Sequence, residues 1–397
     1  MDKFAGNFRA VQRRIGAGRQ ICAAVKADAY GHGAAEIARA SLEAGAACLG
    51  VATAQEGAAL RGEGIAAPIL LFSQAAPEEI PAIIENGLSP FLSDGEFAAA
   101  LDSAAAKARA RISVHLKIDT GMGRLGCAPA EAAALAAQIA ASAALDHAGT
   151  ATHLAVSDST APEDMAYTKR QIALFWEALS GIRAAGLNPG IVHAANSGAV
   201  ILHPNAWFDM ARPGILLYGY KAAEEARLPE SRPDPRLQNL PRLQVEPVME
   251  LRSQVVFVKK IRKGESVSYG RTWTAPRDTA IAVLPIGYAD GLPRLASNKW
   301  QALIGGRACP LIGTICMDQC MADISAAPEA RRWDEAVIFG AHPPSPGADA
   351  LAALTGTIPY EIVCGISKRV PRVYETACGA NADSSAAPSP CRSVGFV

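Results

Sequence analysis

Aromatic side chains make up only 6% of this 397-residue chain, and neither sign of charge prevails, because 38 basic residues face 38 acidic ones. With no net field to attract phosphates or anionic lipid, nucleic acid and membrane are poor partners and a small-molecule ligand is expected. Long apolar runs are missing as well. The most apolar stretch, residues 132–145, is interrupted by Gln138 and Ser142 and is short for a bilayer span. The N-terminus, Met-Asp-Lys-Phe, has no apolar signal core, so a cytoplasmic protein is expected. Nine cysteines, an odd number without a pairing pattern, read as reduced thiols rather than a disulfide framework. Cys316 and Cys320 lie four apart with no histidine beside them, which is a poor zinc site, and no metal is expected.

What is present is a repeating alternation. Short apolar runs recur at 21–26, 48–53, 69–73, 88–92, 112–118, 150–156, 191–195 and 208–217, and alanine-rich stretches of helical period such as 34–43, 77–85 and 130–141 lie between them. Eight strand–helix units over roughly 220 residues predict a closed (β/α)8 barrel of TIM type, residues 1–220. Residues 221–244 are rich in Pro, Arg and Glu and read as a linker. A mainly β domain is expected at 245–376, with strands at 248–258, 279–285, 301–304, 308–313, 321–324 and 336–339 and a short helix at 348–354. Two domains suit the length, since single cores stop growing at roughly 250–300 residues. The tail, 377–397, is Ala/Ser/Pro/Gly-rich without periodicity and is expected to be mobile.

Barrel enzymes build their sites at the C-terminal ends of the strands, so the polar residues expected there matter most. Lys26 ends the first strand in Ala23-Ala24-Val25-Lys26-Ala27-Asp28-Ala29-Tyr30-Gly31-His32-Gly33. A desolvated lysine there loses its proton near neutral pH and becomes an amine nucleophile, while the glycine-rich turn frees backbone N–H groups for a phosphate. A strand-end lysine that merely reaches solvent is the plainer reading of Lys26 alone. Lys117, Asp119 and Arg124 fall at or after the fifth strand, His153 in the sixth, Asn196 and Ser197 after the seventh, and Arg212 and Gly214 in the eighth. Gly121-Met122-Gly123-Arg124-Leu125-Gly126 fits the dinucleotide pattern GxGxxG. No acidic residue ends the next strand, however, and Arg124 would crowd a pyrophosphate, so a dinucleotide is not expected.

The Lys26 segment resembles the pyridoxal-phosphate (PLP) lysine motif of the alanine racemases, and matching segments continue as far as Arg372. The resemblance implies PLP on Lys26. It also implies a phosphate-binding set of Tyr30, Ser197, Gly214, Ile215 and Tyr360, with Asn196 in the same cofactor-binding segment. Arg212 would face the pyridine nitrogen, with His153 coupled to it, and a permanently charged arginine there keeps that nitrogen unprotonated. Lys117 to Gly126 resembles the segment whose arginine, here Arg124, holds the substrate carboxylate, and a guanidinium fork suits that task. In the family the lysine matching Lys117 is often carbamylated and orients that arginine. Val267 to Trp273 resembles the segment whose tyrosine, here Tyr269, reaches across a homodimer interface as a second base. On its own, Tyr269 also reads as a strand-edge aromatic. Met317 matches a substrate-carboxylate contact, with Asp318 beside it, and Tyr288 matches a gate in the entry path.

Taken together, the resemblance implies interconversion of L- and D-alanine by two bases, Lys26 and Tyr269, supplying D-alanine for peptidoglycan. A same-fold racemase of serine or a larger amino acid shares nearly every matched residue. A PLP decarboxylase would normally pair the pyridine nitrogen with a carboxylate instead of Arg212, and a non-catalytic PLP carrier would not need Tyr269. Relative to the family, about a dozen N-terminal residues are expected to be missing, and both the linker and the tail are longer.

Overall fold

The computed structural model describes residues 1–221, 242–340 and 345–375. Most of the expected linker, residues 222–241, and the expected tail, 377–397, lie outside the described residues. The chain divides into two compact units. One holds Phe4–Ala29 and the described residues between Gly33 and Val245; the other holds Met1–Lys3, Tyr30–His32 and the described residues from Glu246 on.

The first unit is an eight-stranded parallel sheet of β1 (Gln20–Ala24), β2 (Cys48–Val51), β3 (Ile69–Leu71), β4 (Ser89–Leu92), β5 (Ile112–Lys117), β6 (Leu145–Ala151), β7 (Ile191–His193) and β8 (Met210–Ala211). The strands run in the order β7-β6-β5-β4-β3-β2-β1-β8. Asp209 N–H donates to the Val192 carbonyl at 3.0 Å and Arg212 N–H to the Ala195 carbonyl at 2.8 Å, joining the two ends into a barrel. Strands β2, β3 and β4 are buried along their whole length, as parallel strands covered on both faces must be. The helices before and between the strands each bury one stripe. Asp2–Ile15 turns Phe4, Phe8, Val11 and Ile15 inward at helical spacing, and Gly95–Lys107 starts where Asp94 accepts the Phe97 N–H at 2.8 Å.

Two strands differ from expectation. The sixth covers 145–151 instead of 150–156, because pairing with β5 from Ile112↔Leu145 onward recruits the more polar Asp146 and His147; His153 therefore lies just beyond the strand. The eighth shrinks to Met210–Ala211, since Pro213 has no N–H for a ladder and the chain then turns through Leu217 N–H to the Gly214 carbonyl at 2.8 Å. Arg212 and Gly214 thus follow the strand. Strand β1 likewise stops at Ala24, placing Lys26 in the turn after it.

The second unit is a seven-stranded antiparallel sheet in the order β10-β13-β16-β15-β14-β17-β9, with a separate hairpin β11-β12. Its strands are β9 (Leu251–Gln254), β10 (Phe257–Ile261), β11 (Ser266–Val267), β12 (Trp273–Thr274), β13 (Thr279–Leu284), β14 (Gln301–Ile304), β15 (Arg307–Ile312), β16 (Cys320–Asp323) and β17 (Glu335–Phe339). The single run expected at 248–258 splits into β9 and β10, which sit at opposite edges of the sheet. Only Val255 and Val256 join them, so the sheet curls around its core. Residues 359–364 form a helix, Pro359–Cys364, with proline in its first turn.

Candidate active site

Within the barrel unit, the turn after β1 is strained. Ala27, Asp28 and Ala29 adopt left-handed helical angles near φ 52°, ψ 50°, and Tyr30 continues at φ 55°. Left-handed helical backbone costs non-glycine residues roughly 1–2 kcal/mol each, and such strain persists where the surroundings over-determine it, commonly at functional sites. Here Glu56 accepts from the N–H groups of Ala27 and Ala52, both at 2.7 Å. Asp28 accepts from the Ala34 N–H at 2.8 Å, and the Gly33 N–H donates to the Asp28 carbonyl at 3.0 Å. Lys26 stands half-buried at the head of this turn.

Arg212 is buried at the end of β8. Its Nη1 donates to His193 Nδ1 at 2.7 Å, and Nη2 to the Thr152 carbonyl at 2.7 Å and the Ala194 carbonyl at 3.4 Å; His153 Nδ1 lies 3.5 Å from Nη2. Burial lowers its pKa to about 10, so it stays charged at neutral pH. No carboxylate pairs with it among the described residues. Burial, then the Arg212 charge, then Lys117, Arg124 and Lys26, push His153 well below the ordinary histidine value, leaving a neutral imidazole.

Lys117 is buried, and its Nζ donates to the Ile118 carbonyl at 3.3 Å. Burial first, then the charges of Arg212 and Arg124, lower its pKa to about 7 against the opposing pull of Asp119. The loop carrying Arg124 is pinned at its base, where the N–H groups of Gly121, Met122 and Gly123 converge on Asp119 Oδ1 at 2.9, 2.8 and 3.1 Å. Burial alone would raise the Asp119 pKa, but these three donors hold it below the usual carboxylate range. Gly126, at φ 128°, passes so close to the Asp119 backbone that a Cβ would clash. Arg124 itself is exposed.

After β7, Asn196 caps the helix Ser197–Leu202 by accepting the Ala199 N–H at 3.0 Å, accepts the Ser157 hydroxyl at 2.6 Å, and donates to the Leu154 carbonyl at 3.3 Å. Its side chain therefore braces the turn that presents Ser197. Ser197 Oγ accepts the N–H groups of Gly214 at 3.0 Å and Leu216 at 3.3 Å. The buried Ile215 N–H donates to no acceptor among the described residues. These donors fit PLP: a hydroxyl and an uncommitted N–H suit its phosphate, a buried cation suits its ring nitrogen, and a strand-end lysine suits its aldehyde.

In the second unit the rings of Tyr30 and Tyr360 pack against each other, tilted by 49° with centroids 5.9 Å apart. Burial and then Tyr360 push the Tyr30 phenol up, so it remains a neutral hydroxyl. Gly31, at φ 81°, meets the Val363 carbonyl where a Cβ would clash, and Arg372 Nε donates to the Gly31 carbonyl at 3.0 Å. Tyr269 is 73% exposed on this unit. Its backbone is held by Thr314, whose hydroxyl donates to the Tyr269 carbonyl at 2.8 Å, while the Ser268 hydroxyl donates to the Thr314 carbonyl at 2.5 Å. Met317 and Tyr288 lie on two loops laced together, Tyr288 N–H to the Cys316 carbonyl and Ala289 N–H to the Met317 carbonyl, both at 3.0 Å. Arg369 clamps them, with Nε to Asp290 at 2.7 Å and Nη2 to Asp318 at 2.8 Å.

Sequence reasoning missed His193, His115, Asn196's bracing role and Arg369. The first two were findable, since His115 and Lys117 alternate onto one face of β5 and His193 ends β7. Arg369 carries no local signal.

A parallel barrel with a lysine after its first strand and a buried arginine after its last, followed by an antiparallel β unit, defines a PLP enzyme of fold type III. Residues 1–222 match the model for "Alanine racemase, N-terminal domain" and 248–374 that for "Alanine racemase, C-terminal domain". An alanine racemase of Treponema denticola is 48% identical over 378 residues, 94% of this chain and 96% of that protein. The solved alanine racemase of Clostridium difficile 630 superposes with a TM-score of 0.84 at 32% identity, covering 93% and 92% of the two chains. That of Bacillus anthracis with bound L-Ala-P gives 0.84 at 30% identity, covering 95% and 93%. The chain belongs to the alanine racemase family.

Proposed function

We propose that this protein is a PLP-dependent alanine racemase that interconverts L- and D-alanine as a homodimer. The observation that carries this is Arg212: a buried guanidinium, held by His193 and backbone carbonyls and paired with no carboxylate among the described residues. A decarboxylase would place an acid there. When bound, PLP supplies an electron sink for the charge left as Cα loses its proton. Facing the ring nitrogen with a fixed positive charge, Arg212 keeps that nitrogen unprotonated and so weakens the sink, which restrains side reactions. Neutral His153 sits beside it.

Lys26 holds the cofactor through Nζ, and the Ser197 hydroxyl, the Ile215 N–H and the hydroxyls of Tyr30 and Tyr360 hold its phosphate, with Gly214 bringing the backbone close while its N–H is held by Ser197. Asn196 supports this set by bracing Ser197. Arg124 grips the substrate carboxylate, with Met317 as a further contact; Asp318 and Tyr288 shape the loops around it. Once the incoming substrate amine has displaced it from the cofactor, the freed Nζ of Lys26 takes the Cα proton from D-alanine and returns it for the reverse direction. On the opposite face Tyr269, contributed by the partner subunit, does the same for L-alanine. Its exposure on its own unit suits a residue that works in another subunit's barrel.

Lys117 is an amine at half-protonation near neutral pH, among the charges of Arg212 and Arg124. That setting favours a negative group. Its neutral amine adds to carbon dioxide and releases a proton, giving a carbamate that pairs with Arg124 and orients it.

Residues 1–220 form the cofactor domain and 245–376 the domain that reaches the partner, in keeping with the ranges of the two family models. A cytoplasmic location and a supply of D-alanine for peptidoglycan complete the proposal. No helix among the described residues is long and apolar enough to cross a membrane, and Cys22, Cys48, Cys127, Cys309, Cys316 and Cys320 form no disulfide. Chiral analysis of the PLP-loaded protein with L-alanine, L-serine or L-lysine tests the function. Rapid approach to equal D- and L-alanine, with slow turnover of the others, is expected. Preferential turnover of serine or lysine would change the substrate, and bound PLP without racemisation would refute the activity.

A further inference from the structure

Behind Arg212 the barrel holds a pair of buried histidines that the proposed chemistry does not use. His193 Nδ1 receives Arg212 Nη1 at 2.7 Å, and His193 Nε2 lies 2.9 Å from His115 Nδ1, a residue 78 positions away on β5. Their rings meet edge to face at 5.0 Å. A guanidinium has donors and no acceptor, so its contact fixes the rest of the chain by elimination. His193 Nδ1 must be unprotonated; its single proton then sits on Nε2 and is donated to His115 Nδ1, which forces the His115 proton onto Nε2. Any other arrangement sets two N–H groups, or two lone pairs, face to face.

The fold makes room for this pair. The register of β5 on β6 passes from Val114↔His147 directly to His115↔Gly149, leaving Ala148 as an extra residue. Gly149 has no Cβ where one would collide with His115 Nδ1. Phe91 covers both rings, 6.2 Å from His115 and 5.9 Å from His193. Burial is the main cause holding both imidazoles neutral, with His115 lowered to about 3.

We propose that His115 is a positioning residue that acts through His193, locking one tautomer of each ring so that the Arg212 guanidinium is held in a single orientation. Its bearing on catalysis rests on the assignment of Arg212 to the cofactor's ring nitrogen. The lock itself does not. Replacing His115 with phenylalanine keeps a ring and removes the acceptor, leaving the His193 Nε2–H buried without a partner. Asparagine restores the acceptor, since its Oδ1 occupies the place of Nδ1.

The test uses PLP-loaded wild-type protein and the His115→Phe and His115→Asn variants. In the wild type, nitrogen-15 NMR of labelled histidines should show His115 and His193 as neutral Nε2–H tautomers. In His115→Phe, the His193 signal should shift or broaden into a tautomer mixture. The alanine kcat should fall roughly 10- to 100-fold, as expected for a misplaced group, with KM changed little. His115→Asn should recover both the His193 signal and most of kcat. An Nδ1–H tautomer at either histidine in the wild type would overturn the proposal. So would equal losses in both variants accompanied by equal falls in melting temperature, or full activity in His115→Phe. Because the tautomers are read without turnover, a protein that fails to racemise alanine would refute the proposed function and leave the lock to be judged by its spectra.

Discussion

Replacing Lys117 with methionine, an unbranched side chain one atom shorter, removes its charge, and the change should stabilise the unmodified protein. The lysine pKa falls from 10.5 in the unfolded chain to about 7 in the fold. At 1.36 kcal/mol per unit this is a destabilisation of about 5 kcal/mol when both states are protonated. The sign follows from proton counts: between pH 7 and 10.5 the unfolded chain binds more protons at this group than the native state, so stability rises with pH. The cost is complete below pH 7, about 4 kcal/mol at pH 7, about 2 kcal/mol at pH 9, and gone above 10.5. In carbon dioxide-free buffer the wild type should therefore gain about 2 kcal/mol over Lys117→Met as the pH is raised from 7 to 9, read as a difference in melting curves. Added bicarbonate should stabilise the wild type alone, because a carbamate replaces a disfavoured cation with an anion beside Arg124. Parallel curves for the two proteins, with and without bicarbonate, would refute both the buried-amine argument and the carbamate.

Three further substitutions probe the proposed site. Tyr269→Phe should lower racemisation from L-alanine by at least about 100-fold while solvent deuterium still enters D-alanine; undiminished turnover in both directions would remove Tyr269 as a base. Borohydride reduction of the loaded wild type should leave a pyridoxyl group on the peptide containing Lys26, and a reduced adduct of equal yield in Lys26→Ala would place the anchor elsewhere. Ser197→Ala deprives two buried N–H groups of their acceptor, a loss of about 1–3 kcal/mol. It should weaken PLP affinity by roughly 10-fold in a fluorescence titration, and an unchanged affinity would exclude Ser197 from the phosphate site.

Much of this architecture is local information. Apolar runs five to ten residues long separated by amphipathic helices already specify eight parallel strands, and a lysine before a glycine-rich turn or an arginine within the last apolar run can be read from chemistry and spacing. Strand limits were less legible. Asp146 and His147 join β6 because β5 offers them partners, and one apolar run becomes β9 and β10 because the curled sheet needs both edges there.

The sequence by itself determined the barrel, the β unit after it and the positions of Lys26, Lys117, Arg124 and Arg212, since periodicity and turn chemistry act over a few residues. Only the tertiary structure decided that four residues after Lys26 are wound left-handed, with Glu56, 29 residues on from Ala27, bracing the turn. The same holds for Arg212, which leans on His193, and for His193, which leans on His115. Closing the barrel brings those strands together, and desolvation then makes each buried donor find an acceptor, a constraint between residues far apart in the chain that no local pattern records.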